Sequence, residues 1–250
     1  MNTKKNSKSG FTKAAALICK SLVDGFVASK IVLPERFTLT AHTGCEGTKD
    51  NSLDSIVVAF VSGADIVEFD LFFDENGVPV LSHDEPKGSE PTLEDAFKML
   101  SVYKKLGINI DIKRTDDLSR VVCLAEKYEL KDRIFFTGVV DEFVEAVKQG
   151  APEISYFLNK DIDFLRKNDD DYINELIAEV ISCGARGLNI RYTNCTAKLV
   201  EKCHENNLEV SVWTVNNKFD MKKVLMLGVD NVTTRKPKAY NEIISSVRGV

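Results

Sequence analysis

The stretch Ile66-Val67-Glu68-Phe69-Asp70-Leu71-Phe72-Phe73 decides how the rest of the chain is read. Branched and aromatic residues favour a strand, and apolar residues on both of its faces mark a strand covered on both sides. Side chains alternate along a strand, so Glu68 and Asp70 point to one face. Carboxylates inside such a run need partners, because an unpaired buried charge is costly. The run therefore reads as an interior strand that carries chemistry at its carboxyl end.

Similar β-rich runs recur on either side of it: Thr38–Thr43, Ile108–Lys113, Arg133–Val139, Ile154–Leu158, Gly187–Tyr192, Glu209–Val215 and Asn231–Thr234. Helical patterns lie between them, among them Leu93–Leu106, Leu118–Tyr128, Tyr172–Ser182 and Thr196–Asn206. An extra extended run, Val78–Ser82, follows the turn dipeptide Asn76-Gly77 and predicts a hairpin-like excursion after the second strand. Strand and helix alternating in this way require a parallel sheet wrapped by helices. Eight such units favour a closed (β/α)8 TIM barrel over an open doubly wound sheet. Neither GxGxxG nor GxxxxGK[ST] follows the first strand, which removes the usual nucleotide signatures of the open alternative. The expected organisation is a helical extension over residues 1–36 and one barrel over 37–250.

The composition is that of a globular α/β chain. Its 250 residues carry 33 Lys and Arg against 38 Asp and Glu, a net charge of −5, with 44% hydrophobic residues. An acidic chain lacks the field that holds nucleic acid, so no nucleic-acid partner is expected. No apolar run reaches the ~18 residues of a transmembrane helix. Cys19, Cys45, Cys123, Cys183, Cys195 and Cys203 are scattered without a CxxC pair, which predicts reduced thiols and a cytoplasmic setting. Lys4, Lys5 and Lys8 ahead of Ala14–Cys19 imitate a secretion signal, but Lys13, Lys20, Asp24 and Lys30 interrupt the apolar stretch, favouring an amphipathic helix. The sequence leaves the oligomeric state open.

Barrels of this kind place their chemistry in the loops after the strands. His42 ends the first run, Glu68 and Asp70 the second, His83-Asp84 the excursion, and Asp111 and Lys113 the next. Three carboxylates form the ligand set of one hard divalent cation, Mg²⁺ or Ca²⁺. Without a cation they would repel one another and raise each other's pKa. Two histidines suit proton transfer near neutral pH, and Lys113 suits neutralising negative charge as it develops. Together these groups describe cleavage of a phosphoester. His204, within a helical pattern, reads as structural, and Asp169-Asp170-Asp171 as a helix start.

At this point the chain resembles the glycerophosphodiester phosphodiesterases. The pieces that carry the likeness are His42-Thr43-Gly44, Asp50-Asn51-Ser52, Glu68-Phe69-Asp70, His83-Asp84 and Asp111-Ile112-Lys113. Val212-Trp213-Thr214-Val215-Asn216 and Gly228-Val229-Asp230, with Thr234 and Pro237, look like the last two strands of that family. The resemblance implies hydrolysis of a small-molecule glycerophosphodiester to glycerol 3-phosphate and an alcohol. It implies acid and base roles for His42 and His83, metal ligation by Glu68, Asp70 and Asp111, a phosphate contact for Lys113, and an alcohol-facing wall at Trp213.

The chain departs from that pattern in places. Thr43 stands where the family has arginine, offering one neutral hydrogen bond for a bidentate charged one. Asp111 and Asp50 stand where glutamate is usual. Arg235 follows Thr234 where the family has Asp. The eighth strand of a barrel lies beside the first, so Arg235 is expected to supply the guanidinium missing at Thr43. Two other readings accompany the hydrolase: a binding or regulatory barrel that has lost turnover, and a phospholipase D-like lyase that stops at a cyclic phosphate.

Overall fold

The computed structural model describes residues 31–248. Most of the expected N-terminal extension, including the signal-like stretch and Cys19, lies outside the described residues. The part that is described, 31–36, is irregular chain and turn, with Ile31 buried against the core.

The elements follow one another as β1 (Thr38–Ala41), α1 (Leu53–Val61), β2 (Ile66–Phe73), β3 (Pro79–Leu81), α2 (Leu93–Leu100) and β4 (Gly107–Ile112). Then come α3 (Leu118–Lys127), β5 (Ile134–Val139), α4 (Asp141–Gly150), β6 (Ser155–Asn159), α5 (Asp170–Cys183) and β7 (Gly187–Arg191). The chain ends with α6 (Ala197–Glu205), β8 (Glu209–Trp213), α7 (Lys218–Met226), β9 (Asn231–Thr234) and α8 (Pro237–Arg248). All strands but β3 are parallel, and β1 pairs with both β2 and β9, which closes the sheet into an eight-stranded barrel with helices outside.

β3 is the expected excursion, running antiparallel to β2 with Leu71 opposite Leu81 and Phe73 opposite Pro79. Its turn is held by the Asp74 carboxylate, which accepts from the Asn76 and Val78 amides at 2.9 and 2.8 Å, while Gly77 takes φ +71°. The Leu93–Leu106 helical pattern stops early, at Leu100. Arg133 gives the reason: its guanidinium donates to the carbonyls of Leu100, Tyr103 and Leu106, satisfying acceptors that continued helix would have used. Asp169 caps α5 by accepting from the Tyr172 amide at 2.8 Å, so the acidic run is a helix start.

Alternation along the strands sorts the barrel into layers. Val67, Phe69, Leu71, Ile108, Ile110 and Phe136 face the helices and join Ile56, Phe97, Val121 and Tyr240 in the main core. Ile66, Phe135 and Phe157 form a separate apolar plug inside the barrel. On the β1, β8 and β9 side of the interior, polar side chains bond to one another across the strands. Asn231 donates to Thr40 Oγ1 at 2.7 Å and to Thr38 Oγ1 at 2.9 Å, and Ser211 donates to Asn231 Oδ1 at 3.1 Å. The interior is therefore filled by an apolar cluster and a hydrogen-bonded polar one, and the carboxyl ends of the strands are left to carry the chemistry. Among the described residues, no helix is long and apolar enough to cross a membrane.

Candidate active site

Strand register brings the carboxylates together. β2 and β4 pair with Glu68 beside Asn109 and Asp70 beside Asp111, and β5 sets Thr137 beside Asp111. Glu68, Asp70 and Asp111 each bring an oxygen within 4.8 Å of the others. Lys113 lies between two of them, its ammonium 3.0 Å from Asp70 and 2.5 Å from Asp111. Burial works against that ammonium, but the Asp111 and Asp70 carboxylates outweigh it and hold the Lys113 pKa above the usual lysine value. Thr137 Oγ1 donates to Asp111 Oδ1 at 2.7 Å and fixes its orientation.

Glu68 is buried at the floor of the mouth. Burial, and then the charges of Asp70 and Asp111, push its pKa well above the usual carboxylate range. The Thr43 amide donates to Glu68 Oε2 at 2.8 Å, which aligns the carboxylate without neutralising it. An all-oxygen donor set with a carboxyl raised by like charges fits a hard divalent cation, which would relieve the repulsion and favour the ionised form of Glu68.

His42 directly follows β1. Its Nδ1 lies 2.8 Å from the Thr43 carbonyl, which can only accept, so Nδ1 carries the hydrogen and Nε2 is left as the acceptor. Burial lowers the His42 pKa below 6.5, with the positive charge of Arg235 adding to the effect. His83 follows β3, is exposed, and has its Nδ1 3.0 Å from the Asp84 carboxylate. That contact holds the hydrogen on Nδ1.

A cavity of about 550 Å³ opens at this mouth, lined by His42, His83, the three carboxylates and Lys113, and further round the barrel by Asn159, Asn189, Arg191 and Trp213. The expected acid, base, metal and alcohol-facing residues thus meet in one hollow.

Thr43 and Arg235 do not line that hollow. Thr43 is buried, and its hydroxyl accepts the Asn51 amide at 2.5 Å. Arg235 grips both oxygens of Asp50 through its two terminal nitrogens, and its own amide donates to Asn216 Oδ1 at 2.8 Å. Arg235 was expected to face a phosphate; here its guanidinium is engaged by Asp50. That contact pulls the Asp50 pKa below the usual carboxylate range. His204 Nε2 donates to Asp230 Oδ2, 2.9 Å away on the outside of the barrel, as a structural residue would.

Asn51 is the site residue that side-chain chemistry alone did not single out. Its Nδ2 donates to Asp70 Oδ2 at 2.8 Å, and its Oδ1 accepts the Asp70 amide at 3.0 Å. Its place beside Asp50 in the Asp-Asn-Ser motif was the available signal. Asn109 and Asn189 were missed because an asparagine in a β-rich run carries no charge to mark it.

An eight-stranded barrel whose mouth gathers three carboxylates, an ammonium and two histidines defines a phosphoester-cleaving hydrolase. Residues 85–239 match the model of the glycerophosphoryl diester phosphodiesterase family, and the chain belongs to that family. A glycerophosphodiester phosphodiesterase of Caldanaerobacter subterraneus is 24% identical over 233 residues, covering 82% of this chain and 96% of the relative. GDPD4 of Arabidopsis thaliana is 23% identical, covering 79% and 70%. A glycerophosphoryl diester phosphodiesterase structure from Silicibacter pomeroyi superposes with TM-score 0.72 at 18% identity, covering 88% of this chain and 97% of that one. A phosphodiesterase structure from Oleispira antarctica, holding the product sn-glycerol-3-phosphate, superposes with TM-score 0.71 at 19% identity, covering 88% and 99%. The chain is an enzyme of this class, a phosphoric diester hydrolase.

Proposed function

We propose that the enzyme hydrolyses glycerophosphodiesters to glycerol 3-phosphate and an alcohol, with one divalent cation, Mg²⁺ or Ca²⁺, held by Glu68, Asp70 and Asp111. The observation that carries this reading is the convergence of those three carboxylates within 4.8 Å beside His42 in one cavity. When bound, such a cation supplies positive charge to a phosphoryl oxygen.

The chain's own residues divide the remaining work. His42, neutral at working pH because burial lowers its pKa, takes the proton of the nucleophile on Nε2. The nucleophile is either water or the neighbouring glycerol hydroxyl. His83, with its Nδ1 hydrogen held by Asp84, gives a proton to the leaving alcohol oxygen. Lys113 is fixed by Asp70 and Asp111 and balances the negative charge that develops on the phosphoryl group. Trp213 walls the alcohol side. Arg235 and Thr43 act one step back: Arg235 tethers Asp50, and Thr43 seats Asn51 and, through its amide, Glu68.

We read residues 37–250 as one catalytic domain. Cys45, Cys123, Cys183, Cys195 and Cys203 are all free thiols, which supports a reducing compartment such as the cytoplasm. The acid and base assignment is tested by His42→Ala and His83→Ala, each read as release of glycerol 3-phosphate. Either variant is expected to lose about 10²–10⁴ in rate. A folded His42→Ala protein with undiminished release would overturn the assignment.

A further inference from the structure

The cavity does not end at Trp213. It opens into a side chamber of about 250 Å³ beyond the ends of β6, β7 and β8, which shares Asn159, Asn189, Arg191 and Trp213 with the main hollow. Three polar groups of this chamber meet no hydrogen-bond partner among the described residues. The Asn159 Oδ1 atom is fixed as an acceptor because the Gly138 amide donates to it at 3.0 Å. Asn189 must then present its Nδ2 to Asn159, at 3.1 Å, and its Oδ1 is left buried with no partner among the described residues. Asn189 as a whole is only 5% exposed. The Trp213 indole N–H is likewise buried without an acceptor among the described residues. Arg191 makes no hydrogen bond or ion pair to any described residue, and its guanidinium lies 5.3 Å from the Trp213 ring centre.

A buried acceptor and a buried donor left open beside a cavity mark a place that a ligand completes. The acceptor calls for a hydroxyl, and the indole N–H for an oxygen. The charge is set by Arg191. Lys160 also borders the chamber, but its ammonium is shared between Asp141 and Glu179 at 2.7 Å each, and Asp161 lies exposed at the rim. A quaternary ammonium would need an open aromatic face, and the face of Trp213 is already met by a guanidinium.

We propose that this chamber is the head-group subsite and that it takes a hydroxyl-rich head group bearing an anion, in preference to a quaternary ammonium. Arg191 meets the anion, Asn189 Oδ1 accepts a hydroxyl, and the Trp213 N–H donates to a ring or hydroxyl oxygen. The inference rests on the phosphodiesterase reading above and names the alcohol that leaves.

The test compares kcat/KM for glycerophosphoinositol phosphate, glycerophosphoinositol and glycerophosphocholine. The expected order is as written, with at least a tenfold advantage of the first over the last. Arg191→Ala should bring that ratio down about tenfold, mainly through KM for the phosphorylated substrate, and Arg191→Glu should invert it. Both variants keep the fold because Arg191 is exposed, which a melting curve checks. A wild-type preference for the choline ester, or a ratio unmoved in both Arg191 variants, overturns the subsite while leaving the phosphodiesterase intact. Absence of release from all three substrates would overturn the phosphodiesterase reading, and the subsite with it.

Discussion

Asn51 adopts a left-handed backbone with φ +54°, a region that asparagine tolerates better than most residues. That conformation turns its amide toward Asp70, where it holds the strand amide and the carboxylate at once. A group that orients a ligand in this way commonly sets its affinity. Asn51→Ala is therefore expected to weaken Ca²⁺ or Mg²⁺ binding by about 10–100-fold in a calorimetric titration. Unchanged affinity would show that Asp70 orients itself. At this scale the charged members of the site were legible in the sequence, because strand alternation puts Glu68 with Asp70 and Asp111 with Lys113. The neutral members were not. The value of Asn51, Asn109, Thr137 and Asn189 lies in hydrogen bonds to groups far along the chain, which no local pattern records.

The loop after β1 is an element built around one contact. Gly44 takes φ +72°, and a Cβ there would come within 1.8 Å of Asp50 Oδ1 and 2.4 Å of the Arg235 guanidinium. Only glycine lets the Asp50–Arg235 pair close over the backbone beside His42. Gly44→Ala is expected to destabilise the fold by about 1–3 kcal/mol, read as a lower denaturation midpoint. A neutral substitution would mean the pair gives way freely. The pair itself ties the loop to the end of β9, so Asp50→Ala and Arg235→Ala should impair catalysis to the same degree, and the double variant no further. Were Arg235 a phosphate contact instead, Arg235→Ala would cost far more than Asp50→Ala, and the double-mutant cycle separates the two. Most elements were legible because each strand run and each helix has its own period. The early end of α2 was not, since it depends on Arg133 reaching back from a later turn.

At the scale of the whole molecule, closure of β1 onto β2 and β9 gathers residues as distant in sequence as His42 and Trp213 around one cavity. The alternation of strand and helix made that closure foreseeable, while the separate Ile66–Phe135–Phe157 cluster and the Asn231 hydrogen-bond network show only in three dimensions. The three carboxylates share one ammonium, that of Lys113, and Glu68 is left without a charged partner of its own among the described residues. Glu68 unfolded loses its proton near 4.5, whereas the folded metal-free protein keeps it to higher pH. In that window the folded state binds more protons, so this group makes metal-free stability fall as pH rises above about 4.5. Adding Mg²⁺ or Ca²⁺ should reverse the trend, release protons and stabilise by about 2.7 kcal/mol at a hundredfold excess over Kd. Thermal melts across pH, with and without the cation, check both signs. The most direct single measurement is release of glycerol 3-phosphate from a glycerophosphodiester by EDTA-treated enzyme before and after Mg²⁺ or Ca²⁺ is restored. No release before and full release after is the expected result. Equal release in both states, from folded protein, would contradict a catalytic metal at Glu68, Asp70 and Asp111.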